Sequence, residues 1–217
     1  MRDSWAIVGA GAQGRIVLEA LQAQHPLARA FFLDDREEVR ASSLAGIPVK
    51  ASSEGLANHR GPAVLAIGDN PTRLRIAARG DALGVRWQPV IHPSATISPS
   101  ARIGAGAVVL AGAVVHSGAR VGDHAIVNTA VIVEHDCTLG RGCSISPGVC
   151  MGGRVDLGEG SFVSVGASIA PRMIIGAGAI VGAGAVVISN VPEATVCFGV
   201  PARFVRPVRR EDWEKLG

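Results

Sequence analysis

The chain has 217 residues and a formal net charge of +3, with 28 glycines, abundant aliphatic side chains and no tyrosine. Without a glycine at every third position, and with only 18% charged residues, this composition excludes collagen and a disordered chain. The small charge and the lack of a basic stripe argue against nucleic-acid binding, and without a long apolar run we expect a cytoplasmic protein with no membrane insertion.

Residues 1–88 are predicted to form a Rossmann-like half domain of alternating strands and helices. A buried strand, Trp5–Val8, leads into a glycine-rich loop and a helix over 15–24. A second strand, Ala30–Leu33, ends in two aspartates, and a later strand, Val64–Ile67, runs into Gly68-Asp69-Asn70-Pro71. Because the order is βαβ, the sheet should be parallel, with ligands at the carboxyl ends of its strands.

The loop after the first strand fits a phosphate-binding turn. Gly9, Gly11 and Gly14 match G-x-G-x-x-G, and Asp34 stands 20 residues beyond Gly14, where a ribose-binding acid is expected. About 88 residues provide only one mononucleotide-binding half, so a mononucleotide or nucleotide-sugar fits better than NAD. Phosphates would lie on the loop and the helix N-terminus, with the nucleoside near Asp34 and Asp35. A literal dinucleotide site and a tight turn without a ligand are the alternatives.

From Ile91 onward the chain repeats every six residues. Seventeen consecutive hexads begin with an aliphatic residue or methionine, and the fifth residue of each is mostly small. Such a period fits a short strand plus a corner, and three of these sides make an 18-residue coil whose strands pair with the next coil. We therefore expect residues 89–192 to form an all-β prism, since a glycine-rich sandwich would need turns of varying length. The period leaves the handedness open.

Several strings of residues together resemble one enzyme family. Beside the glycine loop they are Phe32-Leu33-Asp34-Asp35, Ile67-Gly68-Asp69-Asn70 with Arg73, Ile91-His92-Pro93-Ser94-Ala95, Val133-Glu134-His135-Asp136-Cys137 and Phe198-Gly199-Val200-Pro201-Ala202-Arg203. Over nearly the whole chain, their order and spacing resemble the hexapeptide-repeat nucleotide-amino-sugar N-acetyltransferases, relatives of the sialic-acid O-acetyltransferases. The resemblance implies a left-handed parallel β-helix, acetyl-CoA as co-substrate, no metal, and a homotrimer with acyl sites between neighbouring prisms.

The resemblance also implies the catalytic residues. His135 matches the family's general base, and its neighbours Asp136 and Glu134 are carboxylates able to orient an imidazole. Asp136 is the preferred partner, because Glu134 stands in register with a histidine 18 residues earlier. Gly153 stands 18 residues after His135 on the same corner, so its N–H is a candidate oxyanion donor. Asn128 matches a family active-site position, with a polar residue on a solvated face as the alternative.

The two substrates are expected to contact different parts of the chain. Val165 and Ala183, 18 residues apart on an adjacent corner, are candidates for binding the pantetheine chain, with Ser144 and Pro201 as further cofactor contacts. The substrate-binding candidates are Gly9, Gly11, Gln13, Gly14, Asp34, Asp35, Gly68, Asn70 and Arg73. Gln13 and Ser144 stand where several relatives have histidine. Residues 193–217 form an extension that is expected to pack near the CoA site. The arginines of this extension either meet CoA phosphates or only solubilise the tail (Arg203, Arg206, Arg209 and Arg210).

The predicted function is acetyl transfer from acetyl-CoA to the amino group of a nucleotide-linked amino-sugar for surface-glycan biosynthesis. The expected acceptor is a 4-amino-4,6-dideoxy sugar. Two alternatives stay open: O-acetylation of a sialic-acid-like sugar, which also needs a base, and a non-catalytic β-helix that only binds or scaffolds. The four cysteines lack zinc-site spacing, so we interpret them as reduced thiols and expect no metal.

Overall fold

The computed structural model describes residues 4–216. Its N-terminal domain contains β1 (Trp5–Val8), α1 (Ala12–Gln24), β2 (Ala30–Leu33), β3 (Ser43–Leu44), β4 (Ile47–Ala51), β5 (Ala63–Leu65) and α2 (Asn70–Ala82), with 3₁₀ segments at Glu37–Val39 and Ser53–Asn58. The sheet order is β3-β4-β2-β1-β5, parallel except for the β3–β4 pair. The predicted Rossmann-like sheet is therefore confirmed.

The central position of β1 explains its composition. Because β2 and β5 flank it and other elements cover both sheet faces, all four of its residues are buried. Helix α1 packs Val17, Leu18 and Leu21 into the same core. It begins at Ala12, three residues earlier than predicted, because Gly11 already serves as its N-cap.

Two-residue strands then recur every six residues, as the hexads predict. They are β6 (Val90–Ile91), β7 (Thr96–Ile97), β8 (Arg102–Ile103), β9 (Val108–Val109), β10 (Val114–Val115), β11 (Arg120–Val121), β12 (Ile126–Val127), β13 (Ile132–Val133), β14 (Thr138–Leu139), β15 (Ser144–Ile145), β16 (Cys150–Met151), β17 (Asp156–Leu157), β18 (Phe162–Val163), β19 (Ser168–Ile169), β20 (Ile174–Ile175), β21 (Ile180–Val181) and β22 (Val186–Val187). Their pairing is parallel between residues 18 apart, for example Val114 with Ile132, which confirms the 18-residue coil.

The prism has three faces. The first face contains β6, β9, β12, β15, β18 and β21, the second contains β7, β10, β13, β16, β19 and β22, and the third contains β8, β11, β14, β17 and β20. We call the corner after each first-face strand the first edge, and the corners after second-face and third-face strands the second and third edges. The first and fifth residues of a hexad, such as Val133 and Cys137, point into the core.

Each corner turns through a left-handed residue at the fourth position of the hexad. Between residues 106 and 184 of the described chain, φ at this position lies between +55° and +72°. Nine of these positions are glycine, the residue that adopts such angles without a steric penalty. The others are His124, Ala130, Asp136, Arg154 and Arg172.

The first face is covered along its length. Val90, Val108 and Ile126 share a core with α1 and β1 of the N-terminal domain. At the other end, β23 (Thr195–Phe198) pairs with β21, β24 (Arg203–Pro207) pairs antiparallel with β23, and α3 (Arg210–Glu214) follows. Trp213 and Leu216 pack there against Phe162 and Ile180. Within residues 4–216, no helix combines the length and apolar character needed to cross a bilayer.

Candidate active site

His135 lies half-exposed on the second edge, held between strands β13 and β14. Its Nδ1 is 3.0 Å from Oδ2 of Asp136. Asp136 occupies the left-handed fourth position with φ +58°, and this backbone directs its carboxylate back toward the imidazole. One coil earlier, a Cβ on Gly118 would lie 2.5 Å from Oδ1 of Asp136, so the absent side chain makes room for the carboxylate.

The charge on Asp136 follows from its neighbours. The hydrogen bond from His135 lowers the pKa of the Asp136 carboxyl and outweighs the opposing effect of desolvation, and the charges of His135 and Arg154 lower it further. Arg154 Nε lies 3.7 Å from Oδ2 of Asp136. An ionised Asp136 favours a proton on Nδ1 of His135, which leaves the Nε2 lone pair free to act as a base.

Gly153 lies directly over the imidazole. A Cβ at this position would be 2.5 Å from His135 Nε2 and 2.7 Å from Cε1. In the other sixteen hexads the third residue has a side chain, so the corner backbone does not itself require glycine there. Among the described residues, none accepts a hydrogen bond from the Gly153 N–H. The glycine thus provides both room for the ring and an unused donor beside Nε2.

Glu134 and Asn128 are placed differently from Asp136. Glu134 Oε1 lies 3.7 Å from His116 Nε2, and Oε2 accepts the His135 backbone N–H at 3.2 Å. Glu134 therefore supports the corner rather than the ring nitrogen. Asn128 lies on the first edge, where its Oδ1 accepts the backbone N–H of Thr129 at 2.8 Å. The second face separates it from His135 within one chain.

Val165 and Ala183 also lie on the first edge, one coil apart and both exposed. No described residue accepts a hydrogen bond from either backbone N–H. The turn that contains Pro201 continues this edge on the next coil, because Val186 donates to the Gly199 carbonyl at 3.0 Å and accepts from Ala202 at 2.7 Å. Val165 and Ala183 therefore offer two free N–H groups about 4.8 Å apart, and Pro201, which has no N–H, follows them on the next coil.

A cavity of about 310 Å³ opens at the carboxyl edge of the N-terminal sheet. Six residues predicted to bind substrate line it: Gly9, Gly11, Gln13, Asp34, Asp35 and Gly68. The other polar residues of the lining, which were not among the candidates, are Arg36, Asp69, Thr72 and Arg75. Arg36 follows the two aspartates directly, whereas Arg75 reaches the cavity from α2, which only the packing of α2 on the sheet reveals.

The three loop glycines have separate physical reasons. Gly9 has φ +111°, and a Cβ there would lie 2.5 Å from the Ala66 carbonyl oxygen. A Cβ on Gly14 would overlap the Gly9 carbonyl, so Gly14 packs beneath the loop, and it is not among the residues that line the cavity. Gly11 faces open space, with only Arg36 Nη2 within 4 Å at 3.8 Å. It caps α1, whose first N–H groups therefore face the cavity.

The two aspartates are held in different ways. Asp34 is buried, and its carboxylate accepts the Ala10 N–H at 2.7 Å and the Arg36 side chain at 2.9–3.0 Å. Burial alone would raise the pKa of Asp34, but these hydrogen bonds outweigh it and lower the pKa. Asp35 is exposed, and its Oδ1 accepts from the Ser53 backbone and hydroxyl. Asp34 therefore braces the loop, and Asp35 retains a free oxygen at the cavity.

Gln13 carries an unpartnered polar atom into the cavity lining. Its Nε2 is buried and has no hydrogen-bond acceptor among the described residues. An amide donor left without a partner in a buried position costs stability, on the order of 1–3 kcal/mol. A ligand oxygen in the cavity would satisfy it.

Asn70, Arg73 and Ser144, which were predicted to contact substrate or cofactor, do not line the cavity. All three are buried where α2 meets the prism. Asn70 Nδ2 donates to the carbonyls of residues 160 and 161 at 3.0 Å, and Ser144 Oγ donates to Asn70 Oδ1 at 2.7 Å. Arg73 donates to carbonyls of both domains. These side chains join the domains, which a sequence read one domain at a time does not show.

Two of the C-terminal arginines, Arg206 and Arg210, form ion pairs within the C-terminal extension. Arg206 makes a bidentate ion pair with Asp212 at 2.6–2.7 Å, which lowers the pKa of the Asp212 carboxyl. Arg210 lies 3.6 Å from Glu214 on the same helix. Arg206 therefore fixes α3 against β24.

Comparison with known proteins agrees with this architecture. The family model of the PglD N-terminal domain matches residues 5–79. PerB from Caulobacter crescentus, solved with CoA and GDP-perosamine, is 34% identical with a TM-score of 0.88, over 94% of this chain and 98% of that one. The acetyltransferase domain of PglB from Neisseria gonorrhoeae, solved with acetyl coenzyme A, is 37% identical with a TM-score of 0.89, over 94% and 100%. WeeI from Acinetobacter baumannii is 26% identical with a TM-score of 0.85, over 93% and 99%. Curated protein sequences gave no significant match.

A Rossmann-like domain joined to a left-handed hexapeptide-repeat β-helix, with a histidine–carboxylate pair on one edge, defines an acyltransferase of the hexapeptide class. Within this class, the chain belongs to the amino-sugar N-acetyltransferase family that includes PerB and the acetyltransferase domain of PglB.

Proposed function

We propose that this protein transfers the acetyl group of acetyl-CoA to the amine of a nucleotide-linked 4-amino-4,6-dideoxy sugar, in the cytoplasm, for surface-glycan biosynthesis. The observation that carries the proposal is the arrangement of His135 between Asp136 and Gly153. PerB, solved with CoA and GDP-perosamine, supports the choice of substrates. Residues 1–88 would hold the nucleotide-sugar, residues 89–192 the acetyl donor, and residues 193–217 would close the end of the donor site.

His135 is the proposed general base. With Nδ1 directed at Asp136, Nε2 accepts the proton as the amine nitrogen attacks the thioester carbonyl carbon. The free N–H of Gly153 stabilises the negative charge that develops on the carbonyl oxygen. When the intermediate collapses, the C–S bond breaks and the proton on His135 passes to the departing thiolate. The products are an acetamido sugar and CoA, so no group on the enzyme is consumed.

The nucleotide-sugar fits the N-terminal cavity. Its phosphates would lie at the N-terminus of α1, where unpaired N–H groups favour an anion and Gly11 leaves space for close approach. Arg75 would add positive charge from α2, and Gln13 Nε2 would donate to a ligand oxygen. The nucleoside would lie near Asp35, whose carboxylate retains a free oxygen.

We also propose a homotrimer with shared acyl sites. Val165 and Ala183 lie on the first edge and His135 on the second, so the second face separates them within one chain. The outward row of that face is mostly apolar or small (Thr96, Val114, Ile132, Cys150, Ser168 and Val186), whereas Arg102, Arg120 and Asp156 point outward from the third face. Packing second faces around a threefold axis would bring the first edge of one prism to the second edge of the next.

The base assignment is tested with His135→Asn. We expect kcat for acetyl transfer to fall roughly 10²- to 10⁴-fold while acetyl-CoA binding is retained, because the proton acceptor is lost and the donor contacts are not. His116→Asn on the same edge is the matched control and should keep near-normal activity. Unchanged turnover in His135→Asn would contradict the base assignment, whereas no CoA release by the wild type would favour a protein that only binds or scaffolds.

The shared site is tested by mixing subunits. His135→Asn blocks the base and Ala183→Trp fills the donor edge, so each homotrimer should be inactive. Mixed trimers made from both chains should regain activity, because some interfaces combine an intact second edge with an intact first edge. Persistent inactivity of verified mixed trimers would contradict a site built from two chains.

A further inference from the structure

Arg73 lies at the boundary between the nucleotide cavity and the prism. Its side chain is wholly buried, and burial lowers the pKa of its guanidinium to about 10, so it remains charged at neutral pH. No carboxylate within the described chain forms an ion pair with it. Its hydrogen bonds go instead to neutral oxygens of both domains.

The guanidinium binds both domains at once. On the N-terminal side, Nη1 donates to the carbonyls of Ile67 at 2.6 Å and Gly68 at 3.2 Å, and both residues line the cavity. On the prism side, Nε donates to the His124 carbonyl at 3.0 Å and Nη2 to the Gly142 carbonyl at 2.7 Å. These prism residues lie at corners of the third edge.

Two side chains hold the forked guanidinium group of Arg73, called the Arg73 fork below, in place. Nη2 of Arg73 also contacts Asn70 Oδ1 at 2.7 Å and Ser144 Oγ at 2.9 Å, and Ser144 donates to the same Asn70 oxygen. The planar guanidinium therefore fixes the cavity loop at residues 67–68 to the prism that carries His135. An ammonium group could not reach these divergent acceptors with the same geometry.

We propose that Arg73 is a positioning residue that sets where the nucleotide-linked sugar lies relative to the acetyl-transfer site. This inference rests on the proposed function of the cavity and of His135. A nucleotide held by the N-terminal domain moves with residues 67–68, so loosening the Arg73 fork misplaces the acceptor amine while leaving both binding sites intact. Misplacement of a reacting group by about 1 Å can cost on the order of 10²-fold in rate.

The test compares Arg73→Lys with Ser144→Ala and a control. For Arg73→Lys we expect kcat to fall at least tenfold, with the KM for acetyl-CoA within about twofold and the Kd for the nucleoside diphosphate within about threefold. Ser144→Ala removes one partner of the fork and should lower kcat about two- to fivefold. Arg141→Ala is the control, since Arg141 crosses the same boundary to Asp81 but contacts no residue of the cavity.

The outcomes separate the possibilities. The control Arg141→Ala should retain wild-type kcat, and if Arg73→Lys does so too, the positioning role is wrong. If Arg73→Lys loses nucleoside diphosphate binding, Arg73 acts on the cavity itself, which also overturns the positioning role. Should Arg73→Lys not fold, Ser144→Ala decides: a lowered kcat supports the proposal and an unchanged kcat overturns it. Amide hydrogen exchange at residues 67–69 should rise in Arg73→Lys but not in Arg141→Ala. Hydrogen exchange does not depend on catalysis, so it decides whether Arg73 fixes the loop in either case. A wild type that transfers no acetyl group would refute the proposed function separately.

Discussion

In the N-terminal domain three glycines shape one loop, whereas in the β-helix glycines recur at the fourth position of successive corners. The corner glycines suit the left-handed backbone angle that recurs at each turn. Gly153 and Asp136 depart from that repeat in opposite ways, because Gly153 lacks a side chain where other hexads have one and Asp136 carries one where glycine is usual. In a periodic structure, function shows as a break in the repeat. In the irregular domain it shows only in the shape of a cavity.

The largest effect should come from filling the space above His135. Gly153→Ala places a Cβ 2.5 Å from Nε2, so the imidazole must move, and we expect kcat to fall by about 10²-fold or more. Thermal unfolding should show a loss of stability that disappears in the His135→Ala background, because the clash then has no partner. If Gly153→Ala lowers the stability equally with and without the histidine, glycine is needed there for the backbone conformation. The contrast between Gly153 and the repeating corner glycines would then be wrong.

At the boundary of the two regions, His124 should make the fold sensitive to acid. Its side chain is only 2% exposed and packs edge-on against the Trp87 ring. Burial lowers the pKa of His124 from 6.5 to about 4. The unfolded chain therefore binds a proton between pH 6.5 and 4 that the folded chain does not, so stability falls as pH falls through this range, by about 3 kcal/mol in all. Urea unfolding across this range should show a flatter pH dependence for His124→Phe. The exposed His116→Phe should retain the wild-type slope, and equal slopes for all three proteins would contradict the assignment.

A smaller effect distinguishes the two carboxylates beside the base. Asp136→Asn keeps the shape of the side chain but removes the negative charge at Nδ1, and we expect kcat to fall about tenfold to thirtyfold. Glu134→Gln should change kcat less than threefold, because Glu134 contacts His116 and a backbone N–H instead. Steady-state kinetics of the two variants at neutral pH measures both effects. A larger fall in kcat for Glu134→Gln than for Asp136→Asn would make Glu134 the orienting group.

The smallest effect concerns the loop of the N-terminal domain. Gly11→Ala adds a methyl group that meets only open space near Arg36, so the fold should keep its stability while the Kd for the nucleoside diphosphate rises roughly three- to tenfold. Gly14→Ala is the contrasting variant, since its methyl would overlap the Gly9 carbonyl and destabilise the domain. Calorimetry and thermal unfolding separate the two. Unaltered affinity in Gly11→Ala would place the phosphates elsewhere.

The periodic half of the chain could be predicted almost residue by residue. Because strand pairing is fixed at 18 residues, the position of Gly153 over His135 follows from counting along the sequence. In the N-terminal half, the strands and the loop were also predictable from local pattern, as Gly9 and Gly11 show. That Gly14 packs beneath the loop rather than lining the cavity depends on how closely α1 approaches β1, which the motif alone does not specify.

The boundary between the halves could not be predicted in this way. Arg73, Asn70, His124 and Ser144 are polar residues that would ordinarily be assigned to the surface or to a ligand. They are buried because α2 docks on the third edge of the prism, and that docking depends on contacts about 50 to 90 residues apart in sequence. Neither periodicity nor local motif contains this information.

The identity of the acetylated atom tests the proposed function most directly. Wild-type protein is incubated with acetyl-CoA and either a nucleotide-linked 4-amino-4,6-dideoxy sugar or the matched sugar with a hydroxyl in place of the amine, using UDP, GDP and dTDP forms. Product analysis by mass spectrometry and NMR should show one acetamide per CoA released, formed only on the amine. An acetyl ester on the hydroxyl sugar, or no CoA release with any amino-sugar, would contradict the account.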